Sequence, residues 1–396
     1  MKGYIMKQEK MKKWLGGLAI IVLSVGIAGF FSAFLNTDFS SIEMFAPVEK
    51  KMDFQVTDIY NMMAGDETER NMSQDVAVVL IDSLNREELM SLIDTIKHYE
   101  PKAIGLDIYF SIEKADNKAL IQTIENTPNM VNIVMVEQDP DSIHYVQDTL
   151  SFFYDSLSTV PHSGFANLDA DYTWTVIRTF VPYVLTRDGD TIPNFALELA
   201  KIAAPERAQE VIKRGNTEEI IDFSHYVIDT ASVSSLLQSN MTERIKGKVV
   251  LIGVGKDPKD TYLTPMRDPT PGVLIHAYAT QTILQGEYIE TRAAWKNWAI
   301  AVCMCLVLVS LLLFANESEP VKYGLNLSVR LLTFIILMSL VFIGSAIFAR
   351  HHIYVDYTPA IKMLVFGMLA FDLVYAGSGL FRAKPNKTKQ TKSHKQ

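Results

Sequence analysis

Hydrophobic and polar residues follow two different rhythms along this chain. Four windows, 14–35, 295–314, 329–349 and 360–380, are almost continuously apolar. Each approaches the ~20 residues that a helix needs to cross ~30 Å of hydrocarbon. In the first three, charge is confined to Lys296 and Arg330 at the margins, whereas the fourth encloses Lys362 and Asp372. The first run outlasts the ~7–15 residue core of a secretory leader. Phe30 and Phe31 also break the small residues near its end, so an uncleaved anchor is expected.

Between the first two windows the rhythm shortens. Residues 36–73 read as a helical or irregular stalk. DVAVVLID (75–82) is a continuous apolar run, as suits a strand buried on both faces. Asn85 and Glu88 make a capping pair, and Leu89, Leu92, Ile93 and Ile96 then recur at helical spacing. KAIGLDIYF (102–110) is a second strand, 116–127 a helix and MVNIVMV (130–136) a third strand. This βαβαβ order predicts a parallel sheet. Residues 138–160 read as a loop-rich insertion, and 163–193 as two or more antiparallel strands with an Asp-Gly turn within Arg187–Asp190. Pro193 is placed in the first turn of a helix continued by 195–203. A short strand near Glu219–Phe223, a buried strand at 247–253 and a helix over 273–286, closed by Gly286, follow. The fold class is therefore an α/β domain, mostly parallel with an antiparallel portion, plus four membrane helices.

Charge sets the orientation. Residues 1–13 carry net +4 and 382–396 net +6, while 36–294 hold 21 basic and 40 acidic residues, a net of −19. Lys and Arg beside membrane helices stay cytoplasmic. Residues 1–13 and 382–396 are thus expected inside, with 36–293 extracytoplasmic on the inner (cytoplasmic) membrane of a cell. An even number of spans keeps both basic ends together, which supports counting 360–380. The acidic balance argues against nucleic acid as a partner, and the basic tail suits the lipid surface of the bilayer. Both cysteines, Cys303 and Cys305, lie in the second window, so the external domain has no disulfide.

Several segments carry a resemblance: VAVVLID (76–82), PKAIGLDIYF (101–110), GFANLDAD (164–171) with VIRTFVPY (176–183), NFALELAK (194–201), GKVVLIGVG (247–255) and TPMRDPTPGVLIHAYATQTILQGEYIE (264–290). In order and spacing, with one membrane helix before and three after, they resemble the second type of CHASE sensory domain of bacterial receptors, over roughly 38–290. The resemblance implies an external sensor joined through membrane helices to a cytoplasmic output module. Tyr172 and Thr173 stand where a Gly turn would be expected. After the fourth window only a short polar tail remains, so delivery of a signal to a separate cytoplasmic or membrane output protein is the expectation. Similar sensors work as dimers; a homodimer is implied by the resemblance alone, since no sustained heptad repeat points to one.

Asp82 and Asp107 end buried strands, at the edge where open α/β sheets gather ligands. They either face a cation or cationic ligand or cap the loops that follow. His276, early in the last helix, either reaches the same edge or is a core histidine. GVGKD (253–257) lacks the G-x₄-GK-[ST] spacing of a phosphate loop. Lys256 and Asp257 within it remain candidates to line a small-molecule pocket. Arg178, in an apolar strand, suits a structural salt bridge. His162, His225, His351 and His352 fall in loops without ligand spacing, and no metal site or cofactor is expected. Asp372, inside the fourth window, must be paired, protonated or hydrated, and is a candidate for coupling within the membrane. No nucleophile–base pair points to an enzyme. A membrane-bound sensor is the leading expectation, and an envelope scaffold or assembly protein without ligand sensing is the alternative.

Overall fold

The computed structural model describes residues 2–34, 55–64, 70–110, 117–139, 142–149, 162–168, 175–186, 189–266 and 269–382. The chain forms two compact units. One is the domain, Ile42–Glu290 together with Ser345–Tyr354; the other holds the membrane helices.

The domain is built on a six-stranded sheet: β1 (Asn71–Ile81), β2 (Ala103–Asp107), β3 (Met130–Val134), β4 (Ser163–Phe165), β5 (Tyr226–Ser232) and β6 (Val249–Val254). Their spatial order is β5-β1-β6-β2-β3-β4, and every neighbouring pair is parallel. In β1 the side chains alternate between two cores. Val79 and Ile81 join Leu89, Leu92, Ile93 and Ile96 of the Arg86–His98 helix. Val76 and Val78 join Phe195, Leu199, Val273 and Ala277 on the opposite face. A strand covered by helices on both sides must be apolar at every position, which is why these strands read as unbroken hydrophobic runs.

Two close approaches fix the second helical layer. A Cβ on Gly164 in β4 would lie 2.6 Å from Phe195 Cα, and one on Gly253 in β6 would lie 2.6 Å from Val273 Cβ. Helices Phe195–Ala203 and Gly272–Gln285 therefore rest directly on sheet backbone. The capping pair forms as predicted: Asn85 Oδ1 accepts from Glu88 N at 2.9 Å, and Asn85 N donates to Glu88 Oε2 at 2.9 Å. Gly286 closes the last helix at φ +69°, in the left-handed region that glycine adopts without strain.

Four expectations change. Ser163–Phe165 joins the parallel sheet beside β3 instead of an antiparallel ribbon. Part of the supposed loop-rich insertion is a strand pair, Val136–Asp139 against Ser142–Thr149. Pro193 ends the strand Thr191–Pro193, and the helix is capped by Asn194, whose side chain accepts from Ala196 N. Edge strand β5 was not expected, because Asp229, Thr230 and Ser232 give it a polar exterior. The expected antiparallel pair does form, Tyr183–Leu185 against Thr191–Pro193, while Arg187 and Asp188 of its turn lie outside the described residues. Of the stalk expected over 36–73, Val56–Ala64 is a helix and Asn71 already opens β1; its residues 36–54 and 65–69, the turn at Tyr172 and Thr173 and the tail beyond 382 lie outside the described residues.

The membrane unit comprises helices whose apolar spans run Met11–Phe34, Ala294–Glu317, Lys322–His351 and Thr358–Ser378. Their shared core includes Ile20, Ala301, Cys305, Leu308, Leu312, Met363 and Phe371. Large apolar side chains such as Phe30, Leu331, Phe334 and Phe342 stay exposed, as a hydrocarbon solvent permits. Asp372 is paired: Arg330 Nη2 donates to its Oδ1, while Arg330 Nε donates to Asn326 Oδ1 at 2.8 Å.

Candidate functional site

The carboxyl edge of the sheet carries two separate groups of polar side chains. At the outer group, Asp82 and Lys256 form a loose, exposed ion pair at 3.7 Å. Asp257 caps the short turn Pro258–Asp260, its Oδ1 accepting from Lys259 N at 2.8 Å.

The inner group is different. Gly272, first residue of the last helix, meets the Asp260 carboxylate where any side chain would collide. Asp107 ends β2 opposite Gly253. Burial pushes the Asp107 carboxyl up to about 7. Burial and then the Asp107 charge raise Asp260 to about 6, against the pull of His276. Burial lowers His276 to about 4, although Asp260 opposes the shift. Two acids and a neutral imidazole thus share one poorly hydrated corner. A cationic or hydrogen-bonding ligand would relieve that corner, because it favours the ionised carboxylates that burial disfavours.

His276 also packs edge-on against Phe195, with ring centroids 5.5 Å apart. Its side chain is core-like, at 3% exposure, yet it lines a cavity of about 220 Å³. Phe165, Asn167, Arg178, Asn194 and Glu218 contribute other walls. Of the predicted ligand residues, His276 lines the cavity; Asp107 stays in the inner corner outside its walls, and Asp82, Lys256 and Asp257 stand at the outer edge.

Arg178 connects the cavity to the start of the domain. Its Nε donates to Asp58 Oδ1 at 2.8 Å and its Nη2 to Asp58 Oδ2 at 2.7 Å. The salt bridge expected from the sequence exists, in its bidentate form. Asp58 lies in helix Val56–Ala64 and is only 2% exposed. Asn61 of that helix donates to the Tyr354 hydroxyl. Tyr354 stacks on Phe348 at 4.8 Å and lies 6.4 Å from the Tyr60 ring. Tyr354 and Phe348 belong to the stretch that runs from the end of the third membrane helix toward the fourth.

The histidines are less scattered than their sequence positions imply. Asp222, His225 and His352 each bring a potential ligand atom within 4.8 Å of the other two. Burial lowers the His225 pKa, but the Asp222 carboxylate raises it and prevails. Burial and then the His225 charge lower that of His352. The ligand spacing is invisible locally, because the third member arrives from beyond the third membrane helix. Asp222 and His225, three residues apart, are the only local signal.

A family model for the CHASE2 domain matches residues 40–313. Comparison with curated proteins and with solved structures returned no match. The match spans more than half of the chain and agrees with the parallel sheet and the helices that follow it. The chain belongs to the CHASE2 family of sensory domains, borne here on four helices long and apolar enough to cross a membrane.

Proposed function

We propose that this chain is a membrane sensor whose extracytoplasmic domain binds a small molecule in the cavity between His276 and Arg178. Occupancy is then passed to a separate output protein through the membrane helices. The observation that carries the proposal is the Arg178–Asp58 pair, with one end on the cavity wall and the other on helix Val56–Ala64. A ligand that recruits the Arg178 guanidinium weakens its hold on Asp58. The helix bearing Asp58 also bears Asn61, bonded to Tyr354. Displacement of that helix reaches the chain on both sides: toward the first membrane helix and toward the junction of the third and fourth. A ligand shifts such an equilibrium only by its differential affinity for the two arrangements, so contact with Arg178 is required. The net charges of residues 1–13, 36–294 and 382–396 support the inside-ends orientation.

The test is retention of small molecules from a cell extract by the full chain in lipid nanodiscs, read by mass spectrometry. Ala279, at 2% exposure, lines the cavity. Ala279→Phe should fill it and abolish retention, while Asp82→Asn with Lys256→Gln leaves retention unchanged. Equal retention by the filled variant, or loss on changing the outer pair, would move the ligand to the exposed edge and defeat the proposal.

A further inference from the structure

Asp222 is held on every side. Its Oδ1 accepts from Ser224 N and Ser224 Oγ, both at 3.0 Å, and from His225 N at 3.2 Å. Its own N donates to Thr282 Oγ1 at 3.0 Å. The carboxylate also grips His225 Nδ1, at 2.9 Å from Oδ1 and 2.8 Å from Oδ2. That grip fixes the ring and leaves Nε2 as its other nitrogen. Nε2 is buried without a well-formed hydrogen bond, although the Ala349 backbone lies within reach of the ring; buried polar atoms nearly always have a better partner. The His352 ring stands edge-on to this imidazole with centroids 4.2 Å apart.

His352 is unusual in its own backbone. Its φ is +52°, a left-handed conformation uncommon for non-glycine residues and met most often just past a helix end, as here. Two bonds hold it: His352 N donates to Phe348 O at 3.0 Å, and Glu290 N donates to His352 O at 2.9 Å. Glu287 Oε2 lies 3.7 Å from His352 Nδ1 on the exposed side.

We propose that His225 and His352, with the Asp222 carboxylate beside them, bind a divalent transition-metal ion of the zinc class. A carboxylate on one imidazole nitrogen and an ion on the other is the usual outer-shell arrangement of such sites. Neutral imidazole is a ligand common to zinc, copper, nickel and iron. Zinc sits about 2.0–2.1 Å from imidazole nitrogen, and one potential ligand atom of each residue already lies within 4.8 Å of the other two. Glu287 or water completes the coordination. The consequence is a cross-link between the Asp222–His225 turn of the domain and the residue directly after the third membrane helix. Ion occupancy would stiffen that link, and it does so independently of any ligand in the cavity.

The experiment uses the full chain, stripped with a chelator and dialysed against zinc, with bound metal measured by mass spectrometry. Wild type should take up one zinc per chain. His225→Ala with His352→Ala should take up none, and His98→Ala, changed at an exposed histidine elsewhere, should match wild type. Asp222→Asn, acting through the position of His225, should bind about 10- to 100-fold more weakly. X-ray absorption of the zinc-loaded wild type needs no variant to fold. It should show nitrogen and oxygen ligands at about 2.0–2.1 Å, with two imidazoles. No uptake by wild type, undiminished uptake by the double variant, or a sulfur shell from Cys303 and Cys305 would each overturn the site.

Discussion

Replacing Arg178 with Met tests the buried pair that links the cavity to the first helix of the domain. Asp58 has a side chain only 3% exposed, and Arg178 one 15% exposed, so water does little to screen them. Removing the guanidinium strands the carboxylate, which among the described residues keeps the bond that Gln55 N donates to it at 2.8 Å. Breaking a buried pair from one side costs about 3–5 kcal/mol. With a urea dependence of about 1–3 kcal/mol per molar, the midpoint should fall by about 1–5 M. Pulse proteolysis of the full chain in nanodiscs across a urea series reads the domain without interference from the membrane helices. The double variant Arg178→Met with Asp58→Leu replaces both charges by apolar groups. It should recover most of the loss and stay about 1 kcal/mol below wild type for the vacant Gln55 N. A single variant costing under about 1 kcal/mol, the range of exposed pairs, would refute the reasoning. So would a double variant no better than the single one.

Other outcomes follow from the same geometry. Asp107 titrates near 7 in the fold against 3.8 in the open chain, so its neutral form stabilises below pH 4 and that contribution is lost as pH rises through 7. Asp107→Asn should therefore gain on wild type between those values, by at most about 4 kcal/mol above pH 7; a gap independent of pH would contradict it. Gly164→Ala places a methyl against the Phe195 backbone, which cannot step aside. Its domain stability should fall by about 1–3 kcal/mol in the same proteolysis assay. A Cys at exposed Met72, with Cys303 and Cys305 replaced, should react with an impermeant maleimide on spheroplasts. Protection until the membrane is opened would reverse the orientation.

Much of the architecture was legible because burial on both faces leaves a local mark. Val76–Ile81 and Val249–Val254 can tolerate no polar residue, and the four membrane windows obey the same rule in a different solvent. The edge strand Tyr226–Ser232 obeys a weaker rule, since one side meets water, and Asp229 and Thr230 disguise it. Ser163–Phe165 is too short to show any period. The site divides in the same way. Asp107 and His276 were marked by ending a strand and opening a helix, positions that converge on one edge by topology. The Arg178–Asp58 pair spans 120 residues of chain, so the sequence could suggest that Arg178 needs an acid without naming which. The His225–His352 approach joins residues far apart along the chain, which no local spacing records.

Filling the cavity should move helix Val56–Ala64. Spin labels at Met63, on that helix, and at His98, at the end of the Arg86–His98 helix, report it by electron–electron distance measurement on the full chain in nanodiscs. The extract fraction that wild type retains should shift or broaden the distance distribution, and the Arg178→Met, Asp58→Leu chain should show no change. A ligand retained at full occupancy with the wild-type distribution unmoved would contradict the coupling.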